Sequence, residues 1–245
     1  MPVAHRRSAA LSAPVAGALL AGALLTGCAG GTSSASAVPQ PAPAPAAAFH
    51  GEEPVPVQAR PSFVLRTTQG EAYDFAERTA GRPTLLYFGY TNCPDECPTA
   101  MADISAALRS VPAELGEQVE VVFVTTDPDR DTPQVLRRWL DTFSPDVVGL
   151  LGTQAEVDAA QLALDVPPAK KAGPVPTLPG RPDEHEHEPG TAPHTHEGPL
   201  GYGVGHVNVI FAFDSSDRLP VLYREGVRPA DLAADLPLLA QGALS

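Results

Sequence analysis

The run Thr84-Leu85-Leu86-Tyr87-Phe88-Gly89-Tyr90 constrains this chain more than any other segment. It is apolar without alternation, which predicts a strand buried on both faces, and such a strand belongs in a sheet covered by helices on each side. The flanking sequence reads accordingly. Met101, Ile104, Leu108 and Val111 recur at helical spacing, and Val119–Thr126 reads as a second buried strand. Thr132-Pro133 offers an N-cap with Pro at the first helical position. Val135, Leu136, Trp139, Leu140 and Phe143 put one apolar stripe on that helix. Val147–Leu151 is a third strand. Thr153-Gln154-Ala155-Glu156 has the form of a capping box and opens a helix expected to reach Leu164. Ser62–Thr67 and Glu71–Phe75 flank a Gln69-Gly70 turn as a hairpin, and Val207–Phe213 with Val221–Arg224 form another around Ser215–Arg218. A last helix starts near Pro229, and Pro237 is expected to kink or end its regular part.

Two βαβ steps, a hairpin and a final helix predict an α/β, thioredoxin-like fold. It has a central mixed sheet flanked by helices and an N-terminal β-hairpin extension. The rest of the chain is looser, and here composition matters: the 245 residues include 28 Pro and 21 Gly. Residues 1–27 carry His5, Arg6 and Arg7, then an apolar run from Val15 to Leu25, the pattern of a secretory signal too short to span a membrane comfortably. It ends Leu25-Thr26-Gly27-Cys28, which resembles the bacterial lipobox, so Cys28 is expected to be acylated and to anchor the chain to a membrane without spanning it. Residues 28–61, with Pro39, Pro41, Pro43 and Pro45 in alternation, are expected to be a polyproline-leaning tether. Residues 62–245 form the domain, interrupted at 167–199 by a solvated, disordered insertion rich in Pro and His. The formal charge is −13, which makes nucleic acid a poor partner. Three cysteines are too few for a disulfide scaffold or a cysteine-only zinc site. With Cys28 lipidated, Cys93 and Cys97 would face an oxidising compartment.

The chemistry follows the first buried strand, in Cys93-Pro94-Asp95-Glu96-Cys97-Pro98. Ligands of open α/β sheets gather at the carboxyl ends of strands. Pro98 suits a first helical turn, which puts Cys97 near the N-cap, where the helix dipole favours a thiolate. A structural disulfide, a redox dithiol and a metal site all fit the pair. A bridge closing so short a loop stabilises little. Three intervening residues, one more than thioredoxin-type enzymes use, widen the bite and suit a metal. Two soft thiolates with an added imidazole favour copper, Cu(I) through sulfur and Cu(II) through nitrogen. His206, at the start of the apolar run Val207-Asn208-Val209-Ile210-Phe211, is the one His outside the tails and the insertion, and is the candidate third ligand. The insertion carries His185, His187, His194 and His196 as two His-x-His pairs, read either as a solvated acidic loop or as a weak auxiliary copper or zinc site.

Phe88 to Pro98 resembles the Sco/SenC signature, a Cys-x-x-x-Cys pair between a Phe-Gly-Tyr-Thr lead and a closing Pro. Asp127-Pro128-Asp129-Arg130-Asp131-Thr132-Pro133 resembles a second segment of that family, and His206 falls at its metal-binding His, on the strand before the final hairpin turn. The resemblance implies a copper metallochaperone on the outer face of a bacterial cell membrane. Cys93, Cys97 and His206 would hold copper for the binuclear copper site of cytochrome c oxidase or another cuproprotein. It leaves room for a thiol–disulfide oxidoreductase that uses Cys93 and Cys97 to keep the oxidase cysteines reduced. Asp129, Arg130 and Asp131 are read as turn and helix-start residues, with a partner surface as the alternative. The chain departs from the family at Gly205, where an Asp often precedes the metal His and would orient its ring.

Overall fold

The computed structural model describes residues 48–174 and 202–242. The strands are β1 (Gln58–Ala59), β2 (Val64–Thr67), β3 (Ala72–Asp74), β4 (Thr84–Gly89), β5 (Glu120–Thr125), β6 (Val148–Leu151), β7 (Lys170–Pro174), β8 (Tyr202–Gly205), β9 (Val209–Phe213), β10 (Arg218–Leu219) and β11 (Val221–Arg224). The helices are α1 (Phe75–Thr79), α2 (Glu96–Ser110), α3 (Ala113–Gly116), α4 (Pro133–Leu140), α5 (Gln154–Leu162) and α6 (Pro229–Gln241). One sheet runs in the order β11-β9-β4-β5-β6-β2-β3. β4, β5 and β6 are mutually parallel, and the strands on either side join antiparallel. The thioredoxin-like order is therefore present: β4-α2-β5, then β9-β11-α6, with β4 between β9 and β5. The β2–β3 hairpin extends the far edge beside β6.

Every residue of β4 is buried, as its unbroken apolar run requires. Side chains alternate across a strand, and the two faces take different partners. Leu85 and Tyr87 pack with Met101 and Ile104 of α2, Leu136 of α4 and Leu232 and Leu236 of α6. Leu86 and Phe88 pack with Phe75 of α1 and Val157 and Ala160 of α5. The helix starts read from sequence are in place. Thr132 accepts from the Val135 amide with Pro133 inside the first turn, and Thr153 and Glu156 complete a reciprocal capping box.

Three expectations change. The tether expected over 28–61 gives way to packed chain within the described residues. Glu52 bridges Leu222, and β1 pairs with β10. The Arg60 side chain is 2% exposed. It donates to the Asp217 carboxylate, the Thr79 hydroxyl and the carbonyls of Arg82 and Asp214, and lies over the Phe213 ring. Main-chain bridges and one buried arginine leave no apolar periodicity to read. The insertion expected over 167–199 begins with an ordered strand instead. β7 pairs with β8 through Lys170↔Gly205, Lys171↔Val204 and Pro174↔Tyr202. Lys170, Lys171 and Ala172 are exposed, so backbone pairing, helped by the Lys171 ammonium over the Tyr202 ring, carries the ladder. Finally, α6 continues through Pro237 to Gln241. Leu236 and Leu239, both fully buried, hold the helix on either side of the missing amide. The expected signal segment, Cys28, and His185, His187, His194 and His196 lie outside the described residues.

Candidate metal centre

β4 ends at Gly89, and the chain turns through Tyr90–Asp95 into α2. This turn is anchored twice. The Cys93 amide donates to the Tyr90 carbonyl, and the buried Asp131 carboxylate accepts from the Thr91 amide at 3.1 Å and hydroxyl at 2.6 Å. The same carboxylate accepts from Thr125 at the end of β5. Burial raises the Asp131 pKa against these bonds. Thus Asp131, read as a helix-start residue, also ties the Cys turn to the neighbouring strand. Asp129 is exposed and pairs with Lys171 at 2.5 Å.

Both cysteines are free thiols. Cys97 is fully buried and Cys93 is 9% exposed. The Cys97 amide donates to Cys93 Sγ at 3.3 Å, and Cys97 Sγ lies 3.4 Å from His206 Nε2. The ligand atoms of Cys93, Cys97 and His206 all lie within 4.8 Å of one another. A three-coordinate ion bonded at about 2.0–2.3 Å holds its ligands roughly 3.5–4 Å apart, so a small inward movement closes the site.

The two sulfurs differ in character. The Cys93 thiol is held well below the ordinary range by the hydrogen bond from Cys97, with His206 and the Cys97 and Asp95 amides adding to it. Burial pushes the Cys97 thiol up, and its bond to Cys93 adds to the rise. This corrects the expectation of a thiolate at Cys97. The free amide at the start of α2 points at the sulfur preceding the helix, and the sulfur inside the first turn is sealed in the core. The mouth is acidic besides: burial raises Glu96, helped by negative charge at Cys93, Glu225 and Asp95.

His206 sits in the link between β8 and β9, not on a strand as expected. Its Nδ1 lies 3.3 Å from the Val207 carbonyl. A carbonyl can only accept, so Nδ1 is the donor in this contact, and Nε2 is the ring atom that faces Cys97. The ring meets Tyr87 edge-on at 6.2 Å and Tyr90 at 5.7 Å, and the Tyr87 hydroxyl donates to Asn208 at 2.9 Å. The Val207 carbonyl thereby fills the orienting role of the missing Asp. A Cβ at Gly205 would meet nothing closer than the Lys170 carbonyl at 3.8 Å, so sterics do not demand glycine there. At Gly89 they do: a Cβ would come within 2.8 Å of the Tyr87 ring and 3.0 Å of Cys97 Sγ. Sequence reasoning singled out Cys93, Cys97 and His206, whose ligand atoms the structure brings together, but it missed Tyr87, Tyr90 and Tyr202. Nothing in a tyrosine's spacing marks it as a wall of a distant site.

A family model described as SCO1/SenC matches residues 52–241. The "Putative copper-binding protein" of Stutzerimonas stutzeri is 38% identical over 91 residues, 37% of this chain and 45% of that protein. "Protein SenC" of Rhodobacter capsulatus is 46% identical over 79 residues, 32% of this chain and 35% of that protein. The matched stretch thus spans less than half the length of these curated relatives. The structure of copper-bound ScoI from Bradyrhizobium japonicum is 31% identical, with a TM-score of 0.57 over 74% of this chain and 99% of that one. The solution structure of apo Sco1 from Thermus thermophilus is 28% identical, with a TM-score of 0.61 over 80% and 100%.

Proposed function

Because the chain belongs to the SCO1/SenC family, we propose that it is a copper metallochaperone, held on the outer face of the cell membrane by lipid on Cys28, that delivers copper to the copper-binding subunit of cytochrome c oxidase or to another cuproprotein. The convergence of Cys93, Cys97 and His206 carries the reading. Copper is cargo here. Two sulfurs suit Cu(I), and the imidazole extends the site to Cu(II). Release proceeds by ligand exchange, with the recipient's thiols and imidazoles replacing those of the chaperone one at a time. Cys93, as the more exposed sulfur, is the first to be exchanged. The test is metal analysis of the reduced full chain beside Cys93→Ser and His206→Ala. One copper per wild-type chain and loss in Cys93→Ser are expected, with the thiolate-to-Cu(II) absorption band altered in His206→Ala. Unchanged stoichiometry in Cys93→Ser would move the site elsewhere.

The asymmetry of the sulfurs favours a second activity. Cys93, held as thiolate, attacks one sulfur of a partner disulfide and forms a mixed disulfide while the other partner sulfur leaves as thiolate. Cys97 then loses its proton and attacks Cys93 Sγ, which breaks the mixed disulfide. The partner ends as a dithiol, having gained two electrons and two protons, and Cys93–Cys97 ends as a disulfide. The reduction potential of the pair, set beside its copper affinity, separates the two roles.

A further inference from the structure

The two halves of the metal centre come from separate parts of the chain. Cys93 and Cys97 hang from β4 and α2. His206 lies in the link between β8, which among the described residues pairs with β7 in a two-stranded ladder outside the main sheet, and β9. Something must fix that ladder relative to the Cys turn, because the ring nitrogen and the Cys97 sulfur meet at 3.4 Å. Val204 does part of this by burying its side chain in the core. A further tie runs through the loop after β5.

Arg130 lies between the two halves. Its Nε donates to the Asp127 carboxylate, whose side chain is 1% exposed. Its Nη1 donates to the Tyr202 carbonyl at 2.9 Å, and its guanidinium carbon lies 3.7 Å from the centre of the Tyr202 ring. The Tyr202 hydroxyl returns to Asp127 at 2.7 Å, which closes a ring of contacts between the β5 loop and β8. On its other side the guanidinium stands 5.8 Å from the Tyr90 ring. Tyr90 is the wall against which His206 packs and the residue before Thr91, which Asp131 holds. One planar cation therefore touches the strand that leads to the His and the turn that carries the cysteines.

We infer that Arg130, braced by Asp127, is a positioning residue that sets His206 against the cysteine pair through Tyr202 and Tyr90. This rests on the copper reading above. Arg130 governs whether the third ligand is in place. The planar fork is essential, because one group donates from Nε to Asp127 and from Nη1 to the Tyr202 carbonyl while its cation lies over the Tyr202 ring and near that of Tyr90. A lysine supplies the charge without that geometry.

The test has one arm without copper. In the metal-free, reduced full chain, nuclear Overhauser contacts between the Tyr90 and His206 rings report the placement of the His. They are expected in the wild type and lost in Arg130→Gln, with Arg130→Lys failing to restore them. In the copper arm, Arg130→Gln should weaken Cu(II) binding by about 10- to 100-fold, as loss of an outer partner does at other metal sites. Its absorption should approach that of His206→Ala, and Cu(I) binding by the two thiolates should persist. A folded Arg130→Gln chain that keeps the ring contacts overturns the inference. If that variant does not fold, Tyr202→Leu removes the ring and the hydroxyl but leaves the arginine, and the same criterion applies to it. A wild type that binds no copper at Cys93 overturns the chaperone reading, while the ring contacts still decide the positioning role.

Discussion

At the scale of single residues, the centre depends on a missing side chain. Gly89 closes β4 with the Tyr87 ring, the Phe123 ring and Cys97 Sγ all crowded against the place where a Cβ would stand. Gly89→Ala is expected to cost about 1–3 kcal/mol by overpacking and to displace Cys97. Copper affinity should fall even under conditions where the variant is fully folded. Denaturant melts beside copper titrations check both effects, and a variant that loses stability alone would show that Cys97 has room to adjust. The three candidate ligands were legible in the sequence because cysteine and histidine announce themselves by chemistry and position. The identity of the thiolate was not. It depends on where one backbone amide points and how deep one sulfur lies, and spacing contains neither.

At the scale of elements, the joint between the incoming chain and α6 is pH-dependent. Asp235 is fully buried and accepts from the His50 amide at 2.8 Å, from His50 Nδ1 at 2.7 Å and from the Tyr223 hydroxyl at 2.8 Å. That hydrogen bond, first, and the Asp235 charge, second, raise the His50 pKa above its ordinary 6.5, with Asp231 adding and Arg228 opposing. A His raised in the folded state stabilises fully below its unfolded pKa and loses that contribution as pH rises through the folded one. The melting-temperature gap between wild type and His50→Ala should therefore be largest in mild acid and shrink as pH rises through the raised value. A neutral ring still donates from Nδ1, so part of the gap survives. A gap that widens with pH would contradict this. Helices and buried strands were readable here, because caps and apolar stripes are local signals. The contacts of residues 48–61 were not, since a histidine amid Pro and Ala gives no hint of a carboxylate 185 positions away.

At the scale of the molecule, the domain begins before its first long strand. Chains beginning at residue 48 and at residue 62 differ by the Glu52 bridge, the β1–β10 pair and all of Arg60's contacts. The shorter chain leaves the Asp214 carbonyl and the Thr79 hydroxyl without their buried donor. It should be less stable by about 1–3 kcal/mol, the usual cost of leaving a buried polar group unpaired. Equal melts for the two chains would return residues 48–61 to the tether that composition alone implies.

The β7–β8 ladder also bears on how this chain can vary over time. Its rungs bring Pro174 and Tyr202 together, so whatever joins them starts and ends at the same place. Closing a longer loop costs only about 0.6 kcal/mol per doubling of its length. Selection on folding therefore exerts little pull on the size of that excursion, and descendants of this gene are free to lengthen, shorten or replace it while His206 stays in place. The same freedom makes the gap between these rungs a natural splice point for a reporter domain.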